Sequence, residues 1–121
     1  MTYCTSTELG YITGSDLSST ILWQIITLAD LEIDAVLRAN GIQSANTNDL
    51  KAASLKLSTA GVVTRHRMDG TMPKRTKIGD LELESEPSQA IERLRADAYE
   101  ILRGIVAASR SYRNIIRKVN S

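Results

Sequence analysis

Apolar positions recur at helical spacing over three long stretches of the chain. In the first, Leu22, Ile25, Ile26, Ala29, Ile33, Val36 and Leu37 fall in one stripe at 100° per residue, and the spacing predicts a helix over residues 18 to 40. Ser15, Ser18 and Ser19 offer hydroxyls that accept from first-turn amides, and Gly41 supplies the left-handed residue that closes a helix. Ile21, Leu28 and Leu31 lie outside the stripe and Trp23 sits on its margin. This helix carries more apolar surface than one core contact uses, so a second contact is expected.

The second stretch predicts a helix over residues 49 to 68, with Asn48 as its cap and Asp49 meeting the positive end of the helix dipole. Its stripe is Leu50, Ala53, Leu57, Ala60 and Gly61, small enough in its second half for another backbone to come close, while Leu55 and Val62 form an opposite row. Gly61 costs the helix about 1 kcal/mol relative to Ala. Asp69-Gly70 reads as a stop. From there to residue 86 the helical period vanishes, Pro73 breaks the pattern and Gly79-Asp80 is a tight-turn signal. A hairpin on that turn pairs Ile78 with Leu81, Lys77 with Glu82, Thr76 with Leu83 and Arg75 with Glu84, matching opposite charges across the strands.

Pro87 suits a first helical turn, and Ile91, Leu94, Ala98, Ile101, Leu102, Ile105, Tyr112, Ile116 and Val119 keep one stripe over residues 87 to 119. Ser109 interrupts it, and a bend over residues 104 to 111 is compatible with the pattern. The expected fold is mainly α: three long helices, a short N-terminal helical segment, and a β-hairpin or extended loop between the second and third helices. At 121 residues this is one helical domain spanning residues 1 to 121.

Composition narrows the function classes. The longest apolar run, within residues 21 to 31, is interrupted by Gln24, Thr27 and Asp30 and falls short of the about 20 residues a bilayer requires, so no membrane partner is expected. The first residues lack the basic and apolar regions of a secretory signal. Cys4 and His66 are the sole residues of their kinds, too few for an internal disulfide or a zinc site of usual type. The net charge of +1 conceals blocks of −4 over residues 1 to 40, +4 over 64 to 77, −4 over 78 to 87 and +4 over 88 to 121. Alternating blocks on a near-neutral chain suit like molecules packing together, or complementary hairpin strands, more than a general polyanion binder.

Two positive clusters stand out. Arg103, Arg110 and Arg117, with Arg113 nearby, form a ridge roughly 21 Å long on the third helix. Guanidinium forks there suit phosphates, acidic partners or simply solvent. The other cluster, Arg65-His66-Arg67 with Lys74-Arg75-Thr76-Lys77, can grip nucleic acid or pair with Glu82 and Glu84. His66 lacks a carboxylate at general-base spacing and reads as a surface residue; Tyr99 and Tyr112 read as packing residues; Asp30, Glu32 and Asp34 read as a solvated helix flank. Neither Cys4 nor any Ser sits in a recognisable nucleophile turn, and the seven Gly are scattered rather than gathered into a phosphate loop, so no enzyme and no cofactor is expected.

With these elements placed, the chain resembles the head-tail connector proteins of tailed phages and prophages, also called head-completion or portal-adaptor proteins. The resemblance rests on Tyr3-Cys4-Thr5-Ser6-Thr7-Glu8-Leu9, on Thr13-Gly14-Ser15-Asp16-Leu17-Ser18 leading into the first long helix, on Ile33-Asp34 with Leu37, and on Lys77-Ile78-Gly79-Asp80-Leu81-Glu82-Leu83-Glu84-Ser85. Serines often flank the turn in that family, whereas Glu82 and Glu84 stand here. The resemblance implies a subunit of a homo-oligomeric ring, commonly dodecameric. Such a ring binds under the portal protein, meets a downstream tail-connector protein and extends the channel through which DNA passes without sequence recognition. It places the protein in the host cytoplasm during assembly and at the virion head-tail junction afterwards. On this reading Ile21, Trp23, Leu28, Leu31, Leu55 and Val62 meet neighbouring subunits. Arg65, Arg67, Arg103, Arg110, Tyr112, Arg113 and Arg117 face portal or DNA, and Lys77, Ile78, Gly79, Asp80, Leu81 and Glu82 form the hairpin. The alternative is a small helical DNA-binding regulator built on the first two long helices and the basic run over residues 65 to 77; an enzyme whose site is assembled across subunits is the third possibility.

Overall fold

The structure is a computed structural model that describes the backbone of residues 3–43, 45–69, 77–78, 81–82 and 87–120, and the side chains of residues 3–43, 45–68 and 89–109. It is mainly helical: α1 (Ser6–Thr13), α2 (Ser19–Ala39), α3 (Thr47–Asp69) and α4 (Pro87–Asn120). Between α3 and α4, Lys77–Ile78 pairs antiparallel with Leu81–Glu82, with Lys77 opposite Glu82 and Ile78 opposite Leu81. The turn at Gly79 and Asp80 and the outer pairs of that register lie outside the described residues, so the hairpin as a unit is not shown.

Capping chemistry sets the boundaries. Thr5 and Glu8 form a reciprocal capping box at the start of α1, each side chain satisfying the other's backbone N–H at 3.1 Å. Gly14, at φ 61°, ends α1 and sends its N–H to the Gly10 carbonyl. The Ser18 hydroxyl then accepts from Ile21 N–H to open α2. At the other end of α2, Gly41 N–H reaches the Arg38 carbonyl and Ile42 N–H the Leu37 carbonyl, a Schellman closure whose positive φ at Gly41 only glycine takes without strain. Leu37 and Ile42 are buried in the same cluster, as that motif favours. α3 begins two residues earlier than the sequence pattern suggests, because Asn46 rather than Asn48 caps it: Asn46 Oδ1 accepts from the N–H groups of Asn48 and Asp49.

α3 packs against both α2 and α4, while α2 and α4 touch each other little. One cluster joins Ile33 and Leu37 of α2 to Leu50, Ala53 and Leu57 of α3 and Ala98, Leu102 and Ile105 of α4. A second joins Cys4 and Leu9 to Leu22, Ile26 and Val62. Val62, assigned by periodicity to an outward row and hence to a subunit interface, is therefore a core residue at 1% exposure, and Leu55 packs half-buried against the same cluster. The reason is that the N-terminal segment covers the face of α3 that two neighbouring helices would have left open. α4 is unbroken through Gly104 and continues fifteen residues beyond Ile105 to Asn120, about 22 Å of helix.

The small residues of α3 permit a close crossing. A Cβ built on Gly61 would lie 2.7 Å from Cγ2 of Ile25, a branch methyl that cannot swing away, whereas a Cβ on Gly104 meets nothing within 4 Å. Gly61→Ala is expected to lose about 1–2 kcal/mol, overpacking outweighing the better helix propensity, while Gly104→Ala gains up to about 1 kcal/mol. Urea unfolding of the two variants checks the pair; equal effects of the same sign would contradict the crossing at Ile25.

Candidate interaction surface

Buried polar contacts fix the N-terminal segment to the helices. The Asp30 carboxylate on α2 accepts from Ser54 Oγ of α3 at 2.7 Å and from Tyr3 N–H at 3.0 Å. Ser54 spends its proton on Asp30, so the contact between Cys4 Sγ and Ser54 Oγ, at 3.1 Å, is a thiol donating to a hydroxyl. Burial pushes the Cys4 thiol and the Asp30 carboxyl up, against the hydrogen bonds that favour their ionised forms. The Tyr3 hydroxyl donates to Asp34, and burial together with that bond raises the phenol to about 12. Cys4, Asp30 and Ser54 are buried, and an inaccessible protonated thiol is no nucleophile. Ser58 Oγ, buried beside them on α3, has no partner within hydrogen-bonding geometry among the described residues.

His66 corrects its assignment to the surface: it is 2% exposed, and its Nε2 lies 2.7 Å from Ser15 Oγ in the α1–α2 connection. Ser15 also accepts from Leu17 N–H. A Ser–His contact is one element of nucleophilic catalysis; neither residue lines the surface cavities described below. The flank of α2 is likewise not merely solvated. Glu32 accepts from Tyr99 and from both terminal nitrogens of Arg95, the nearer at 2.6 Å, tying α2 to α4. Burial pushes the Glu32 carboxyl up, but those donors outweigh it and hold it below the usual range. Arg95 also lies 5.8 Å from the centroid of the Tyr99 ring. Glu8, held low chiefly by Lys51 at 3.0 Å, ties α1 to α3.

With the inner faces committed, one surface of α2 remains uncovered. Leu28 is 69% exposed, Leu31 55% and Trp23 38%, and Thr20, Gln24 and Thr27 stand exposed among them. Ile21 is half-buried at its edge. This face covers roughly 16 Å of helix without a charged side chain. A shallow depression runs along Thr20, Trp23, Gln24, Thr27 and Leu28. Leu28 also borders a groove of about 290 Å³ over α3, whose walls include Gly61, Met68, Ile91 and Arg95. A further groove of about 330 Å³ lies between Val36 and Asn40 of α2 and Tyr99, Leu102 and Val106 of α4. Charge depletion around an exposed Trp and leucines is the composition of an interface centre.

The basic candidates are not gathered in one place. Arg65 and Arg67 are exposed near the end of α3, where α4 begins to pack through Leu94 against Ala60 and Val63. Arg103 lies at the opposite end, beside Leu102 and Ile105, which pack in the cluster of Leu50. The side chains of Arg110, Tyr112, Arg113 and Arg117 lie outside the described residues. Among the described residues no three His, Cys, Asp or Glu side chains converge on a metal-sized site, and no helix is long and apolar enough to cross a membrane. The capping box at Thr5 and Glu8 was legible as a Thr-x-x-Glu spacing, and the sequence reading passed over it; the partners of Asp30 and His66 had no local signal. Compared with family models, curated proteins and solved structures, the chain matches none.

Two outcomes follow from the polar contacts. Cys4 is expected to resist a thiol reagent in native buffer and to react at the unfolded rate in denaturant. Asp30→Asn, which sets an amide against the Tyr3 N–H, is expected to cost about 1–3 kcal/mol and to speed labelling at least tenfold. Prompt native labelling of the wild type would contradict the buried thiol. The acid response has two opposing parts. Glu32 and Glu8 are lowered on folding, so the stability they contribute is present above their unfolded values and is lost as pH falls through the folded ones. Asp30 is raised, so its contribution is present below its unfolded value and lost as pH rises through the folded one. Urea midpoints from pH 7 downward are expected to fall less steeply for Glu32→Gln than for the wild type.

Proposed function

We propose that this chain is the subunit of a head-tail connector ring in a tailed phage or prophage particle. It docks under the portal, meets a downstream tail-connector protein and extends the DNA channel without reading sequence. The observation that carries the reading is the uncharged outer face of α2, with Trp23, Leu28 and Leu31 in solvent, which a neighbouring subunit would cover. The residue motifs of the N-terminal segment, the lead-in to α2 and the stretch over residues 77 to 85 support the same assignment by their resemblance to connector proteins. α4 supports it by its length: the helix runs on to Asn120, fifteen residues past Ile105, and in the proposed ring its terminal stretch, around residues 112 to 121, docks to the portal. In the proposed ring the hairpin segment, with Lys77, Ile78, Gly79, Asp80, Leu81 and Glu82, reaches toward a neighbour.

The regulator alternative loses ground on burial. A recognition helix must lay a free face into a groove. α3 instead buries Ser54, Ser58, Thr59, Ala60, Val62, Val63 and His66, and the exposed Arg65 and Arg67 sit at its end. We assign the protein no catalytic role.

The test is assembly on portal rings, followed by sedimentation and negative-stain imaging. The wild type is expected to add a ring-shaped layer to the portal, and Leu28→Asp with Leu31→Asp to abolish that layer while circular dichroism stays unchanged, because both side chains are already in water. A wild-type chain that stays monomeric and ignores the portal would overturn the reading.

A further inference from the structure

Asn40 and Gly41 close α2, and they form the only Asn-Gly step in the chain. In such a step the backbone nitrogen of the second residue can attack the asparagine amide carbon, and a glycine, with no Cβ, leaves that nitrogen unhindered. We infer that Asn40 is a site of spontaneous deamidation, and that the C-terminal cap of α2 holds the reaction off for as long as it stays closed.

The reaction needs only the chain and water. The Gly41 nitrogen gives up its proton and bonds to Asn40 Cγ, the Cγ–Nδ2 bond breaks, and the amide nitrogen leaves as ammonia with a proton in place of the one released. A cyclic succinimide remains. Water then adds to either ring carbonyl carbon and the ring opens there. Opening at Cγ gives aspartate, and opening at the main-chain carbonyl gives isoaspartate.

The closed cap blocks the first step at each participating group. Gly41 N–H donates to the Arg38 carbonyl at 3.1 Å, so its proton is held. Asn40 Nδ2 donates to the Val36 carbonyl at 2.8 Å, which ties the leaving group back along the helix. Asn40 sits at ψ 6°, where the Gly41 nitrogen nearly eclipses the Asn40 nitrogen. Ring closure needs it to eclipse Cβ instead, at a different tetrahedral position. Gly41, at φ 67°, and the buried side chains of Leu37 and Ile42 keep the cap in this form. The chain must therefore leave the cap before the ring can close.

Conversion then works against return. A carboxylate replaces the donor to the Val36 carbonyl at the negative end of the helix dipole. Isoaspartate also lengthens the main chain by a carbon at residue 40, so the bonds of Gly41 and Ile42 to the preceding turn lose their spacing. None of this rests on the connector reading.

Peptide mapping of the full chain by mass spectrometry, after incubation at mildly alkaline pH with and without urea, reads the conversion at Asn40. In urea it is expected to run at least about tenfold faster than in native buffer. Ile42→Ala removes the side chain that seals the cap, and is expected to speed native conversion about tenfold while the rate in urea stays unchanged and circular dichroism shows the helices intact. Ile42→Val, a smaller truncation, is expected to fall between that variant and the wild type. Equal rates for the wild type in native buffer and in urea, no conversion in urea, or a native rate indifferent to both truncations would each overturn the inference.

Discussion

The enclosure of the middle of α3, where no residue from Ala52 to Val63 is exposed, is the constraint from which the rest of the structure follows. From Ala53 to Val63 this helix offers mostly small side chains, so α2, α4 and the N-terminal segment approach it from different sides. Where Ile25 meets Gly61 the approach leaves no room even for a methyl group. Because α3 takes the inner stripe of α2 and most of the buried surface of α4, α2 and α4 scarcely meet, and nothing among the described residues wraps the outer side of α2. The exposed Trp and leucines are thus a consequence of which helix occupies the centre.

A helix so enclosed must satisfy its polar groups from neighbouring segments. Ser54 does so through Asp30 and Cys4, and Thr59 and Thr64 return their hydroxyls to the carbonyls of Leu55 and Ala60 in the preceding turn. Asp30 in turn holds the backbone of Tyr3, and His66 holds Ser15. Removing one partner from such a set leaves a buried group without its bond, which costs more than the bond itself contributes. These contacts fix where the N-terminal segment lies, and with it which face of α2 is covered.

The functional reading inherits this geometry. The solvent-facing stripe with Trp23, Leu28 and Leu31 is the feature on which the proposed subunit contact rests. In the proposed ring the contact would be heterologous, repeating from one subunit to the next until the ring closes.

The three long helices and their core stripes were legible in the sequence, because amphipathic period, caps and breakers are local signals. Leu22, Ile26, Ile33, Leu37, Leu50, Leu57, Leu94 and Leu102 are buried where that period puts them. So was the surplus on α2, in Leu28 and Leu31. The fates of Val62, His66 and Asp30 were not legible. Val62 is enclosed by Cys4 and Leu9, His66 meets a serine 51 positions away, and Asp30 meets groups 24 and 27 positions away. Periodicity reports which side chains share a face of one helix. It carries no information about how many other segments come to lie on that helix, and only tertiary packing decides that.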